Sequence, residues 1–237
     1  MRFLKLLGLA AIAIGCFTPS SSQAQSAIDN PIVIELYTSR FCAFCPRAED
    51  QLEAFSQKFR QVIPIACHVD YFNGSEDDPF ARNYCSARQS SYAKRMAQGA
   101  RFTPMVISSG NNLILGNTEL NAWKLYEQRM NQSIVKPVYI KASIATPGQY
   151  QIILPRITQG DYTVLVGFIQ QPTTAMNNRM EPRVYTNALS YLARLDSWDG
   201  TSKALKTTLP TPANSQKMII LVQTHDQTIV AAGQHVF

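Results

Sequence analysis

Cys42 and Cys45 stand three residues apart in Phe41-Cys42-Ala43-Phe44-Cys45-Pro46, a spacing at which two thiols can close a small ring and open it again. The attacking species in disulfide exchange is the thiolate, so a working pair needs surroundings that favour the anion. The flanking residues supply them. Pro31 to Tyr37, with Ile32, Val33, Ile34 and Leu36, reads as a buried strand, and Pro46 to Arg60 reads as a helix with Ala48, Leu52, Phe55 and Phe59 on one face. The pair thus falls between strand and helix. Cys42 lies by the helix N-terminus, where unpaired N–H groups favour negative charge, and Arg40 and Arg47 add positive charge. Cys45 is close enough to resolve a mixed disulfide, and Pro46 suits a first helical turn. Two other chemistries fit the same residue types: an inert structural disulfide, and a Cu(I) site made by Cys42, Cys45 and His68. Zinc is disfavoured, because no second C-x-x-C completes a four-ligand set.

The elements around the pair follow from the hydrophobic pattern. Ile63 to Val69 is a second apolar run, so strand, helix and strand form a right-handed βαβ unit with parallel strands. A polar insertion from Asp70 to Arg101 contains a helix at Ala87 to Gln98. Thr103 to Ser108 and Leu113 to Gly116 flank the hairpin turn Ser109-Gly110-Asn111-Asn112. A further helix begins near Asn117 or Thr118, with Leu120, Trp123 and Met130 on one face. From Val135 onward the runs are short and alternating (Tyr139 to Ile144, Tyr150 to Leu154, Tyr162 to Ile169, Met218 to Gln223, Ile229 to Val236), the signature of an antiparallel β-sandwich.

The chain has 237 residues, enough for one or two domains, and its 46% hydrophobic and 16% charged content excludes disorder and coiled coil. Its net charge is +6, yet the basic residues form no run or tail, which excludes nucleic acid as a partner. Arg2 and Lys5 precede the apolar stretch Leu6 to Phe17, and small residues follow at Ser22 and Ala24, so residues 1–24 read as a secretory signal cleaved after Ala24. Ala13-Ile14-Gly15-Cys16 offers an alternative in which Cys16 is acylated and the protein sits at a membrane surface. Either way the destination is the periplasm or the exterior, where disulfides persist. Beyond Cys16, four cysteines remain (Cys42, Cys45, Cys67 and Cys85), and four thiols allow three pairings.

Glu35-Leu36-Tyr37-Thr38-Ser39, Cys42-x-x-Cys45-Pro46, His68-Val69-Asp70-Tyr71, Asp78-Pro79-Phe80, Arg88-Gln89-x-x-Tyr92 and Thr103-Pro104 occur in that order. In this the chain resembles the exported bacterial thioredoxin-like family catalogued as a domain of unknown function, and the similarity runs from Pro31 to Val236. The resemblance implies an α/β fold: a thioredoxin-like domain over 30–133, followed by an antiparallel β-sandwich-like domain over 134–237. It implies that Thr103-Pro104 is a cis-proline turn facing the cysteine pair, leaving the Thr103 backbone free to pair with an extended substrate, against the plainer reading of a trans proline that opens a strand. It also places Glu35 as a buried acid that takes the proton of Cys45, against the plainer reading of a strand-end carboxylate facing water or an arginine. His68, Asp70, Arg88 and Gln89 match family motifs and read as scaffold tying the insertion to the second strand.

Cys67 and Cys85 depart from the family pattern. They suggest a second disulfide pinning the insertion, with two alternatives: Cys67 a core thiol and Cys85 free, or one of them exchanging with the C-x-x-C pair. The function these residues favour is thiol–disulfide exchange on exported proteins or small thiols, with Cys42 attacking, Cys45 resolving, no cofactor, and a redox partner that recycles the pair. A periplasmic copper chaperone and a non-catalytic binding module with a structural disulfide are the alternatives.

Overall fold

The computed structural model describes residues 28–74, 76–115, 134–143 and 145–237. The signal segment, Cys16 and the helix expected near Asn117 or Thr118 lie outside them.

Strand β1 (Ile32–Thr38) is buried along its whole length, as a strand covered on both faces must be. It runs parallel to β2 (Val62–His68), and helix α1 (Cys45–Lys58) makes the crossover between them. Helix α2 (Asn83–Met96) follows, beginning four residues before the helix expected at Ala87. Strand β3 (Met105–Ser108) then lies antiparallel to β1 on its other side and turns back into β4 (Asn112–Leu115), giving the order β2-β1-β3-β4. Gly110 makes the turn at φ 71°, and a Cβ there would meet the Gln227 carbonyl oxygen at 2.0 Å, so only glycine fits. The two faces of β1 bury different partners. Ile32, Ile34 and Leu36 pack on Ala48, Leu52 and Phe55 of α1, while Val33 and Tyr37 join Tyr92 and Ala93 of α2.

The rest of the chain is strand. A five-stranded sheet is ordered β11 (Leu189–Trp198), β8 (Tyr162–Gln170), β13 (Ser215–Gln223), β14 (Ile229–Val236) and β5 (Lys136–Pro137). A three-stranded sheet is ordered β12 (Lys203–Thr208), β7 (Gln149–Leu154) and β6 (Tyr139–Ala142). The two share a core in which Ile140, Ile152 and Leu154 meet Val164, Phe168, Ile220 and Val222. The opposite face of the larger sheet presents Ile169, Leu189, Ile219 and Leu221 to Val33, Tyr37 and Tyr92, so one apolar cluster crosses the 133/134 boundary. A separate hairpin of β9 (Thr173–Met176) and β10 (Pro182–Tyr185) makes a two-stranded sheet.

The expected fold class is corrected by this architecture. Among the described residues there are two helices and fourteen strands, the strands spread over four small sheets. The chain is therefore mostly β, not a thioredoxin-like α/β fold. Of the three helices that suggested alternating strand and helix, α1 and α2 are present and the one expected near Asn117 or Thr118 lies outside the described residues.

Candidate redox site

Cys42 and Cys45 are joined by a disulfide with Cα atoms 5.3 Å apart, in the loop that leaves β1 and enters α1. The Cys42 N–H donates to the Ser39 carbonyl (3.0 Å) and the Cys45 N–H to the Cys42 carbonyl (3.3 Å). Helix α1 begins at Cys45, with Phe44 as N-cap and Pro46 in the first turn. Phe44 makes no side-chain cap bond, and the first turn holds no acidic residue. The positive end of the helix is therefore not neutralised by the first turn's own side chains, which favours an anion on the preceding cysteine. Both cysteines are buried, Cys42 5% exposed and Cys45 0%.

Beneath the loop lies a buried polar cluster. The Asp78 carboxylate accepts from the Arg40 N–H (2.9 Å) and the Phe80 N–H (3.0 Å), and lies 2.9 Å from His68 Nδ1. Burial pushes this carboxyl up, but His68 and the two backbone N–H groups outweigh burial and hold it below its ordinary value. Its ionised form orients His68 through Nδ1. His68 Nε2 and the Tyr185 hydroxyl are buried and without a hydrogen-bond partner among the described residues. Tyr185 is pushed up to about 12 by burial, then by the carboxylates of Glu49 and Asp78. Thr38 Oγ1 donates to Glu49 (2.6 Å), which stands one helical turn after Cys45. Arg183 of β10 donates to the Pro46 carbonyl (2.9 Å), to Glu49 (3.2 Å) and to Asp50 (2.5 Å). Arg40 donates to the Met176 carbonyl (3.1 Å) and to Glu76 (2.9 Å).

Of the two occupations open to Glu35, the structure shows the carboxylate that faces an arginine. Alternation along β1 puts it with Val33 and Tyr37, on the face turned away from α1. There it is paired with Arg88, with Nε and Nη2 at 2.5 and 3.0 Å, and it accepts from Tyr37 (3.0 Å) and Tyr92 (2.9 Å). Burial works against the Arg88 charge, but Glu35 overcomes it and holds the guanidinium well above its ordinary value. Burial and Glu35 likewise hold both tyrosines well above theirs. A carboxylate already engaged by an arginine and two hydroxyls, on the face away from α1, is poorly placed to take the Cys45 proton.

The remaining expected residues serve the frame around the pair. Arg88 also donates to Gln223 (2.7 Å), tying α2 to β13. Gln89 donates to the Phe102 carbonyl (2.8 Å), and Asp70 is bonded to Ser86. Cys67 and Cys85 form a disulfide with Cα atoms 5.3 Å apart, fully buried between β2 and α2. The Thr103-Pro104 bond is cis, and one step beyond the Tyr37–Met105 pair it lies at the end of β1 from which the cysteine loop departs. Among the described residues no three His, Cys, Asp or Glu side chains come together as they would around a metal, and His68 Nδ1 is engaged by Asp78.

Sequence reading did not single out Asp78, Thr38, Glu49 or Arg183 as parts of this site. Asp78-Pro79-Phe80 was visible as a motif, yet only the fold shows that Asp78 reaches Arg40, which precedes it by 38 residues. Arg183 lies 134 residues from Glu49, in a stretch that gives no local sign of meeting α1.

A crystal structure of protein AGR_C_4864 from Agrobacterium tumefaciens is similar, with 24% identity over 90% of this chain and 96% of that one and a TM-score of 0.75. HBP35 of Porphyromonas gingivalis is similar at 12% identity, over 90% of this chain and 77% of that one, with a TM-score of 0.59. At such identities these likenesses speak for the fold alone. None of the curated proteins matches the chain. The family model described as "Protein of unknown function (DUF1223)" matches residues 33–223, most of the chain from β1 to β13, and the protein belongs to that family.

Proposed function

We propose that the protein is an exported thiol–disulfide oxidoreductase whose working bond is Cys42–Cys45. The observation that carries this reading is a disulfide set at the start of α1, with no acidic group in the helix's first turn. In the oxidising direction a client thiolate attacks Cys42 Sγ, the Sγ–Sγ bond breaks, and Cys45 leaves with the electron pair and takes up a proton. A second client thiolate then attacks the client sulfur of the mixed disulfide. This forms the client disulfide and releases Cys42 as a thiolate, which the helix N-terminus stabilises. The same steps in reverse reduce a client disulfide. Recycling requires a second redox partner, and the clients are exported proteins or small thiols.

Export is supported by the N-terminal residue pattern and by two disulfides, which persist in oxidising compartments. Among the described residues no helix is long and apolar enough to cross a membrane. The structural-bridge reading has its own support, because both cysteines are buried. Trapping separates the two. With Cys45→Ser, Cys42 accumulates mixed disulfides with clients or small thiols, whereas Cys42→Ser traps almost nothing. Equal behaviour of the two variants at matched expression would refute the exchange reading.

A further inference from the structure

Side chains alternate along β13, so Lys217 shares with Ile219 and Leu221 the face that packs on the first half of the chain. On β14, Gln234 lies opposite Ile219 and Val236 opposite Lys217. Beyond Ile219 this apolar seam gives way to a cavity of about 590 Å³, lined by Lys217 and Gln234 together with Ser56, Arg60, Val62 and Pro64 from the end of α1 and the start of β2. A volume of this size lies within the range of small-molecule sites, about 300–1,000 Å³. Two groups in it lack what they need. The half-buried Lys217 ammonium has three protons to donate, and among the described residues it finds one acceptor, Asn187 Oδ1, at 3.4 Å. Glu53 acts on it only from a distance, because the Glu53 oxygens accept from Asn187 (2.6 Å) and Gln57 (2.8 Å). Burial pushes the ammonium below its ordinary value, further than Glu53 restores it. Gln234 Oε1 is buried with no donor among the described residues. Buried polar groups are costly unless something supplies the missing partner. Arg60 and Asp29, the one carboxylate of the lining, are both exposed at its rim.

From this pairing of an underused donor with an unpaired acceptor we infer that the cavity binds a small organic acid carrying a hydrogen-bond donor beside its carboxylate, of which a 2-hydroxy acid is the simplest. The carboxylate takes the Lys217 protons, and Arg60 at the rim adds attraction for an anion. The hydroxyl donates to Gln234 Oε1, and Val62 and Pro64 receive the carbon chain. An anion without a donor meets only the first requirement, and a neutral amide only the second. The cavity adjoins the start of β2, whereas the cysteine loop lies at the other end of the β1–β2 pair, beyond Thr38 and His68. The inference is therefore independent of the exchange reading.

The test titrates the mature protein, with both disulfides formed, and follows its amide and side-chain signals by NMR. The probes are 2-hydroxy-4-methylpentanoate, 4-methylpentanoate, which differs only in lacking the hydroxyl, and sulfate. The hydroxy acid should give saturable shifts centred on Lys217 and Gln234, and it should bind at least tenfold more tightly than either of the other two. Lys217→Met should weaken its binding at least tenfold, and Gln234→Leu should bring the ratio between the two organic acids close to one. The wild-type ratio decides the matter even where a variant fails to fold. No saturable shift with the hydroxy acid, shifts centred away from the cavity, or binding unchanged in a folded Lys217→Met each overturns the proposal. Equal affinity for all three probes overturns it as well, since that is general attraction of anions to two cations.

Discussion

At the scale of single residues, the two buried carboxylates near β1 do different work. Glu35 is the counter-ion of Arg88, and removing one partner of a buried ion pair leaves the other charge uncompensated, at a cost of about 3–5 kcal/mol. Glu35→Gln should lower stability by that order in denaturant titration. It should leave the pH dependence of disulfide exchange in place, and a shifted profile with unchanged stability would return Glu35 to a proton-transfer role. Asp78 holds the Arg40 backbone and His68. Its folded-state pKa lies below its ordinary value, so its stabilisation is fully present above the usual carboxylate pKa of about 4 and is lost as pH falls through the depressed value. Asp78→Asn should therefore flatten the acid limb of the stability profile below about pH 4. An unchanged limb would show that Asp78 is not held ionised. The face on which Glu35 lies is implicit in the alternation of β1, but Arg88 stands 53 residues further on, and no local pattern announces their meeting.

Among the elements, β2 and α2 are joined covalently as well as by packing. The Cys67–Cys85 bond has a sequence separation of 18, and closing a loop of that length in the unfolded chain is worth about 3 kcal/mol. Cys67→Ala with Cys85→Ala should lose about that much, whereas a loss well under 1 kcal/mol would mean that the unfolded chain is already restrained there. The strand–loop–helix around the cysteines was legible because each part declares itself locally. Ile32 to Leu36 are apolar and β-branched in the main, Pro46 opens the helix, and Ala48, Leu52 and Phe55 recur at helical spacing. The hairpin laid along that loop was not legible. Thr173–Met176 and Pro182–Tyr185 are short, polar in part, and linked to the site through contacts of high sequence separation.

For the molecule as a whole, the class expected from the first half did not survive the second, where ten of the fourteen strands lie. The runs between Val135 and Val236 were visible individually, but which strands pair is set by side chains far apart in sequence. Tyr37 and Tyr92 share a core with Ile169, Leu189 and Ile219. A shared core couples the halves, so thermal unfolding should be one transition, with equal calorimetric and van't Hoff enthalpies; two separated transitions would show independent units. The Arg88 bridge from Glu35 to Gln223 crosses the same boundary. The claim on which the functional account turns is that Cys42–Cys45 opens and closes in service. The reduction potential of that bond, measured in the intact mature protein against glutathione or thioredoxin buffers, tests it most directly. The account predicts a value between about −120 and −270 mV, the range of exchanging pairs, and a value below about −300 mV, the range of structural bridges, would contradict it.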